Sequence, residues 1–253
     1  MDHDRPHSLP ATFDRSRKPD GHRVIKVVSY NIHKGIGLDR QRDPRRILDV
    51  LREIDGDVIA LQEADRRFGT KARVIPQHLM DEHSPWAPVT IGHDRASMGF
   101  HGNALLVRKG SAVQSCATLH IPALEPRGAI RADVVAGGTP IRVLGMHLDL
   151  SGLWRRKQAR AILAHIDACP ARLPTVLMGD LNEWTPAGGC LHDFGRDYPS
   201  VPTGPSFHAR RPVGRLDRIM TRGFRVVEYG VHASATARRA SDHLPIWAVL
   251  EPE

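Results

Sequence analysis

Apolar residues in this chain fall in short runs broken by polar and turn-forming positions, and most of the runs have strand character. Val24–Tyr30 (VIKVVSY), Val58–Leu61, Ala104–Val107, Ile130–Val135, Ile141–Met146, Thr175–Met178, Leu216–Met220 and Leu244–Leu250 read as strands. Gly137-Gly138-Thr139-Pro140 separates two of them and predicts a hairpin turn. Helical periodicity is rarer. Asp43-Pro44 offers an N-cap and a first-turn proline, and Ile47, Leu48, Leu51 and Ile54 then repeat at helical spacing up to Asp55-Gly56. A second helix is expected after Ser151-Gly152, carrying Leu153, Ile162, Leu163 and Ile166 before Cys169-Pro170. Many strands with a few intervening helices imply sheet and helix layered in one α/β domain.

The polar residues follow a second pattern. VVSY ends on Asn31, VIAL on Gln62-Glu63, VLGM on His147, and TVLMG on Asp180-Leu181-Asn182. The last strand reverses the order, with Ser241-Asp242-His243 preceding LPIWAVL. If that strand runs antiparallel to its neighbours, its start shares an edge with their ends, and reactive side chains gather on one rim.

Composition narrows the class. At 253 residues the chain can bury a substantial core, and 41% hydrophobic with 25% charged residues is ordinary for a water-soluble protein. No apolar run is long enough for a membrane helix. Residues 1–23, rich in charge and proline, read as a disordered tail lacking a signal-peptide core, with the domain spanning 24–253. Cys116, Cys169 and Cys190 are widely spaced, which argues against a disulfide framework or structural zinc and suits the cytoplasm. The formal charge of +8 points to an anionic partner, nucleic acid, anionic lipid or a phosphorylated small molecule alike, although excess arginine from a GC-rich genome would account for it too. Aromatics at 5% do not interleave with basic residues, so no stacking platform for single strands is visible.

Taken alone, each candidate residue has an ordinary explanation. Asp180 and Asn182 suit an Asx-type turn capping a strand, but the acid can bind or deprotonate water and the amide can donate to a phosphoryl oxygen. Glu63 suits a loop start, and equally a hard ligand for Mg²⁺, with Asn31 able to share that ion. His243 can act as general base or electrophile once a carboxylate fixes its tautomer and raises its pKa towards neutrality. Asp217 is the candidate, since an acid inside an apolar run is costly to bury unpaired. His147 is a second possible acid or base.

Taken together, SYN ending at Asn31, LQE ending at Glu63, GNALL from Gly102, GMH with His147, GDLN from Gly179, LDRI from Leu216 and SDHLP from Ser241 resemble the endonuclease/exonuclease/phosphatase superfamily, in this order, from Val24 to Leu250. The resemblance implies a DNase I-like four-layered sandwich of two mixed β-sheets flanked by helices. It implies a metal-dependent phosphodiester hydrolase in which Asn31 and Glu63 hold Mg²⁺ or Mn²⁺ with Asp242 near the ion, and Asp217 orients His243. Asp180 and Asn182 would handle water and phosphoryl oxygens, and His147 would contact phosphate or assist proton transfer. Asn103 of the GNALL segment, with Arg127 and Arg131, is assigned to substrate, the arginines for their nearness to motifs; Arg155 and Arg156 are further candidate phosphate contacts.

One position departs from the pattern. Repair endonucleases of this superfamily usually place an acid two residues after the motif asparagine; here it is His33, in SYNIHKGIG, as in short bacterial members. A nuclease is the first expectation, on charge and on the best-known members. A phospholipid or sugar-phosphate headgroup substrate is the alternative, on the short scaffold and His33. An inactive binding protein of the same fold should lack part of the residue set, and none is missing; a zinc hydrolase on His33, His147 and His243 would leave the carboxylates and amides unexplained. A monomer is expected.

Overall fold

Alternate residues of the first strand look to opposite sides, and both sides are buried. Val28 and Tyr30 pack under one set of helices, whereas Ile25 and Val27 join a core shared with a second sheet. The computed structural model describes residues 24–66, 72–91 and 97–253; the presumed tail lies outside the described residues. The first half of the chain runs β1 (Ile25–Asn31), α1 (Pro44–Ile54), β2 (Val58–Gln62), α2 (Gln77–His83), β3 (Trp86–Pro88), β4 (Ala104–Arg108), β5 (Val113–Leu119) and β6 (Gly128–Ala136). The second half runs β7 (Thr139–His147), α3 (Gly152–Asp167), β8 (Thr175–Asp180), α4 (Cys190–Phe194), β9 (Asp217–Arg222), β10 (Phe224–Val231), α5 (Ala237–Ala240) and β11 (Ile246–Pro252).

Two mixed sheets result, ordered β10-β11-β1-β2-β4-β3 and β5-β6-β7-β8-β9. Their facing sides share one apolar core that includes Val27, Ala60, Leu105, Val143, Met178 and Ile246. At Gly145 the sheets approach so closely that a Cβ would meet Leu105 at 3.0 Å and Ala60 at 3.2 Å. The outer face of the first sheet is covered by Ile47, Leu48, Leu51 and Ile54 of α1, and that of the second by Ala159, Ile162 and Ile166 of α3 with Phe194 of α4. The architecture is thus a four-layered α/β sandwich. No helix among the described residues is long and apolar enough to cross a membrane.

The local signals explain most boundaries. Asp43 caps α1 by accepting from the Arg45 and Arg46 amides, and Asp55 closes it in the left-handed region. Gly137 and Gly138, both at positive φ, form the two-residue turn between β6 and β7. Helix α3 differs from expectation on its first turn. Leu153 is exposed, and the inward positions nearby are Arg155 and Gln158, held by polar partners.

Strand direction decides where the chemistry collects. β1 and β2 are parallel, whereas β11 is antiparallel to β1 and β4 to β2. In the second sheet, His147 pairs with Asp180 in parallel register, and Asp180 faces Asp217 across an antiparallel pair. The ends of β1, β2, β7 and β8 and the starts of β4, β6, β9 and β11 therefore share one rim.

Candidate active site

Asp180 is the hub of that rim. The last residue of β8 and fully buried, it accepts from Asn31 Nδ2 at 3.0 Å through Oδ2. The same oxygen lies 3.4 Å from His147 Nε2 and 3.8 Å from His243 Nε2. Its other oxygen accepts the Asn182 backbone N–H at 2.9 Å. Residues from both sheets thus converge on one carboxylate.

Behind His243 stands Asp217, whose Oδ2 lies 2.8 Å from the ring Nδ1 and also accepts the Ser206 hydroxyl. Burial disfavours a charged imidazole at His243, but the charge and hydrogen bond of Asp217, with Asp180 and Asp242, outweigh it and raise the pKa to about 10. The partner carboxylate therefore takes this histidine beyond neutrality, further than the sequence suggests. His147 goes the other way. Burial, helped by the Arg127 guanidinium and only partly opposed by Asp180, lowers it to about 4. At neutral pH one histidine is a cation that can donate and the other is neutral, the kind of separation that lets acid and base share a site.

On the opposite lip, Glu63 follows β2. Burial opposes its ionisation, but the Lys34 ammonium bonded to it and the neighbouring His147 hold its carboxyl below the usual range. Asn31 Oδ1 accepts the His33 N–H at 3.1 Å, and Asp242 lies 3.8 Å from His33 Nδ1. Glu63 and Asn182 both sit at positive φ, near 55° and 51°. Asn tolerates that region, whereas Glu is strained there, and such strain concentrates at functional sites.

The carboxylates of Glu63 and Asp242 and the amide oxygen of Asn31 are the kinds of oxygen donor that a hard cation takes, and the Lys34 ammonium already bonds the Glu63 carboxylate. Among the described residues, the trio of acid and histidine atoms that lie within 4.8 Å of one another is that of Asp180, Asp217 and His243. Asp217 Oδ2 is already committed to His243 and Ser206, so that trio reads better as a proton-handling group than as a second ligand set.

The remaining candidates divide. Asn103 is buried at the start of β4, where its Nδ2 donates to Gly128 O at 3.0 Å and so joins the two sheets at the rim. Arg127 lies at the mouth, Nη1 2.7 Å from His147 Nδ1 and Nη2 3.3 Å from Glu125. Asn182 already gives one amide N–H to Leu148 O at 3.0 Å. Arg131 is not brought to the rim. It sits three residues along β6 from Gly128, bonded to Ser115 and to Asp133 at 2.9 Å. Arg155 is likewise committed to Glu183 and Leu150 O, and Arg156 to Asp193. Sequence reasoning missed Lys34, Ser206 and Phe207, whose ring lies 4.8 Å from that of His243. Only Lys34, inside the SYNIHKGIG segment, carried any signal.

Solved structures of similar shape include an endonuclease/exonuclease/phosphatase from Bacteroides vulgatus, 19% identical, with a TM-score of 0.74 over 91% of this chain and 99% of that one. D. rerio TDP2 complexed with a single-strand DNA product is 18% identical, with a TM-score of 0.70 over 90% and 98%. The mannosyl-6-phosphatase of Bacteroides thetaiotaomicron is 19% identical, with a TM-score of 0.71 over 89% and 99%. At such identities the likeness speaks to the fold. No curated protein matches the chain in sequence. A model described as the Endonuclease/Exonuclease/phosphatase family matches residues 28–243, and it is to this family that the chain belongs.

Proposed function

We propose that the protein hydrolyses phosphodiesters with the help of a divalent cation, and that the rim around Asp180 is where it does so. The observation that carries this reading is the convergence of Asn31, His147 and His243 on Asp180 Oδ2, with Asp217 behind His243. Glu63, Asn31 and Asp242 would hold Mg²⁺ or Mn²⁺, which supplies charge neutralisation at the phosphoryl and leaving oxygens. Asp180, fixed by Asn31 and the Asn182 amide, orients the attacking water and takes its proton. His243, held as a cation by Asp217, donates to a phosphoryl oxygen as negative charge grows there. Neutral His147 and Arg127 at the mouth bind the phosphate, and the second Asn182 N–H is available to it.

The relatives of known activity act on different phosphoesters, so fold does not choose among substrates. Nucleic acid is the expectation from charge; a lipid or sugar-phosphate headgroup is the alternative. Arg131, Arg155 and Arg156, three of the four arginines offered as candidate phosphate contacts, are each bonded to an acid of the chain, which weakens the case for the first. Hydrolysis of a generic aryl phosphodiester in EDTA, then with Mg²⁺, Mn²⁺ or Zn²⁺ restored, tests the reaction class. Activity abolished by EDTA and restored by Mg²⁺ or Mn²⁺ is expected, while full activity in EDTA would refute the metal requirement.

A further inference from the structure

The most exposed large apolar side chains among the described residues are Leu124, Leu150, Leu153, Trp184 and Val213, each 62–71% exposed. Four of them lie in loops, and Leu153 in the first turn of α3, at one edge of the second sheet, the edge where β7 ends on His147, β8 ends on Asp180 and β9 begins at Asp217. The other exposed large apolar residues, Val113, Val227 and Tyr229, are less exposed and belong to the outer strands β5 and β10.

These loops are fixed in place. Buried Asp149 accepts the Leu124 N–H at 3.0 Å and the Ser151 N–H at 2.9 Å. Buried Arg155 donates to Leu150 O at 2.6 Å and to Glu183 at 3.2 Å, and Glu183 accepts the Thr185 N–H at 3.1 Å. The Trp184 ring in turn rests on Gly214, beside Val213, where a Cβ would meet it at 3.2 Å. The segments that carry these apolar residues thus form a collar at this edge, tied together by a shared polar scaffold, in which Arg155 also donates to Asp149 O. From it, Trp184 meets Phe207 edge-to-face at 6.0 Å, and Phe207 leads to His243. The loop that carries Val213 also presents Arg210, Arg211 and Arg215, all exposed and without an ion pair among the described residues.

We infer that this lip is a membrane-docking surface, which seats on an anionic phospholipid bilayer so that the phosphodiester of a lipid headgroup enters the site. The substrate half of this inference rests on the hydrolase reading above. Apolar side chains at the water boundary flanked by arginine are what an anionic interface rewards, hydrocarbon taking the first and headgroups the second. A nucleic acid would reward the arginines and Trp184, but it offers nothing to three leucines and a valine, which cannot stack on bases as aromatic rings do.

Cosedimentation of the full chain with phosphatidylglycerol or phosphatidylcholine vesicles tests this, comparing the parent with Leu150→Ser/Leu153→Ser. Both leucines are exposed and neither belongs to the catalytic group. The parent should bind phosphatidylglycerol vesicles in preference to phosphatidylcholine and cleave their lipid. The double variant should bind at least about tenfold more weakly, yet cleave a soluble aryl phosphodiester at the parent rate. A parent that stays in the supernatant with both lipids, or a variant that binds like the parent, would overturn the inference. So would single-stranded DNA binding, or a dimer in sedimentation velocity, that the double substitution abolishes, since the collar would then belong to nucleic acid or to a second copy. Vesicle binding by a parent that cleaves no phosphoester at all would uphold the docking surface and sink the hydrolase reading instead.

Discussion

Nδ1 of His243 lies 2.8 Å from Oδ2 of Asp217, although the two residues precede or begin strands in different sheets. The hydrogen bond therefore spans the sandwich at its rim and fixes which ring nitrogen faces Asp180. If the two act as one unit, Asp217→Asn should slow kcat by a factor on the order of 10²–10⁴. Asp217→Asn/His243→Ala should then be little worse than His243→Ala alone. A double-mutant cycle on kcat, with circular dichroism to confirm folding, makes the check; losses that simply multiply would mean independent roles.

Glu63 is expected to be the main anchor of the cation. Glu63→Gln preserves shape but removes the charge that now holds Lys34. Mg²⁺ affinity measured by calorimetry and turnover should both collapse, while the melting temperature changes little. A mutant that titrates with Mg²⁺ like its parent would place the ion elsewhere.

How legible this was depended on burial. Strands covered on both faces, such as β1, β2, β7 and β8, appear as apolar runs, and their reactive residues stand out because the run stops on a polar group. Strands β5 and β10 were invisible for the same reason in reverse. Both lie at sheet edges with exposed positions such as Gln114, Ser115, Arg225 and Glu228, so no run forms; β3 is only three residues long. In α3 the inward stripe includes Arg155 and Gln158, and this disguised the face on which Leu153 lies. Arg131 lies away from the rim because closeness to a motif in sequence says little along a strand, where three residues span about 10 Å. Ser206 and Phe207 reach His243 only through tertiary structure.

The arginines should now separate in kinetics. Arg127→Ala removes a charged donor at the mouth and should raise KM by about tenfold or more, with folding intact. Arg131→Ala removes a side chain committed to Asp133 and should leave kcat/KM near the parent value. Equal losses for both would return Arg131 to the substrate path.

Stability in acid should depend on a pair remote from the rim. Arg142 grips Asp133 at 2.8 and 2.9 Å, both nearly buried. Burial alone would raise the Asp133 carboxyl, but Arg142 and Arg131 hold it below the ordinary value of 3.8. A depressed folded-state pKa stabilises above the unfolded value, and that contribution is lost as pH falls through the folded one. Arg142→Ala should cost roughly 3–5 kcal/mol near neutrality and distinctly less at about pH 3, as read from urea melts at the two pH values. An equal cost at both would show that the charge pair contributes nothing.

The central claim is that Asp180 is the point at which the rim acts on phosphate. Asp180→Asn keeps the volume and can still bond Asn31 or the Asn182 amide, but it cannot take a proton from water. The direct measurement is the single-turnover hydrolysis rate of a soluble aryl phosphodiester at saturating Mg²⁺, parent against Asp180→Asn, with both shown to be folded. The rate should fall by about 10³ or more. A mutant within about tenfold of its parent would contradict the account, because the carboxylate on which Asn31, His147 and His243 converge would then have no part in the chemistry.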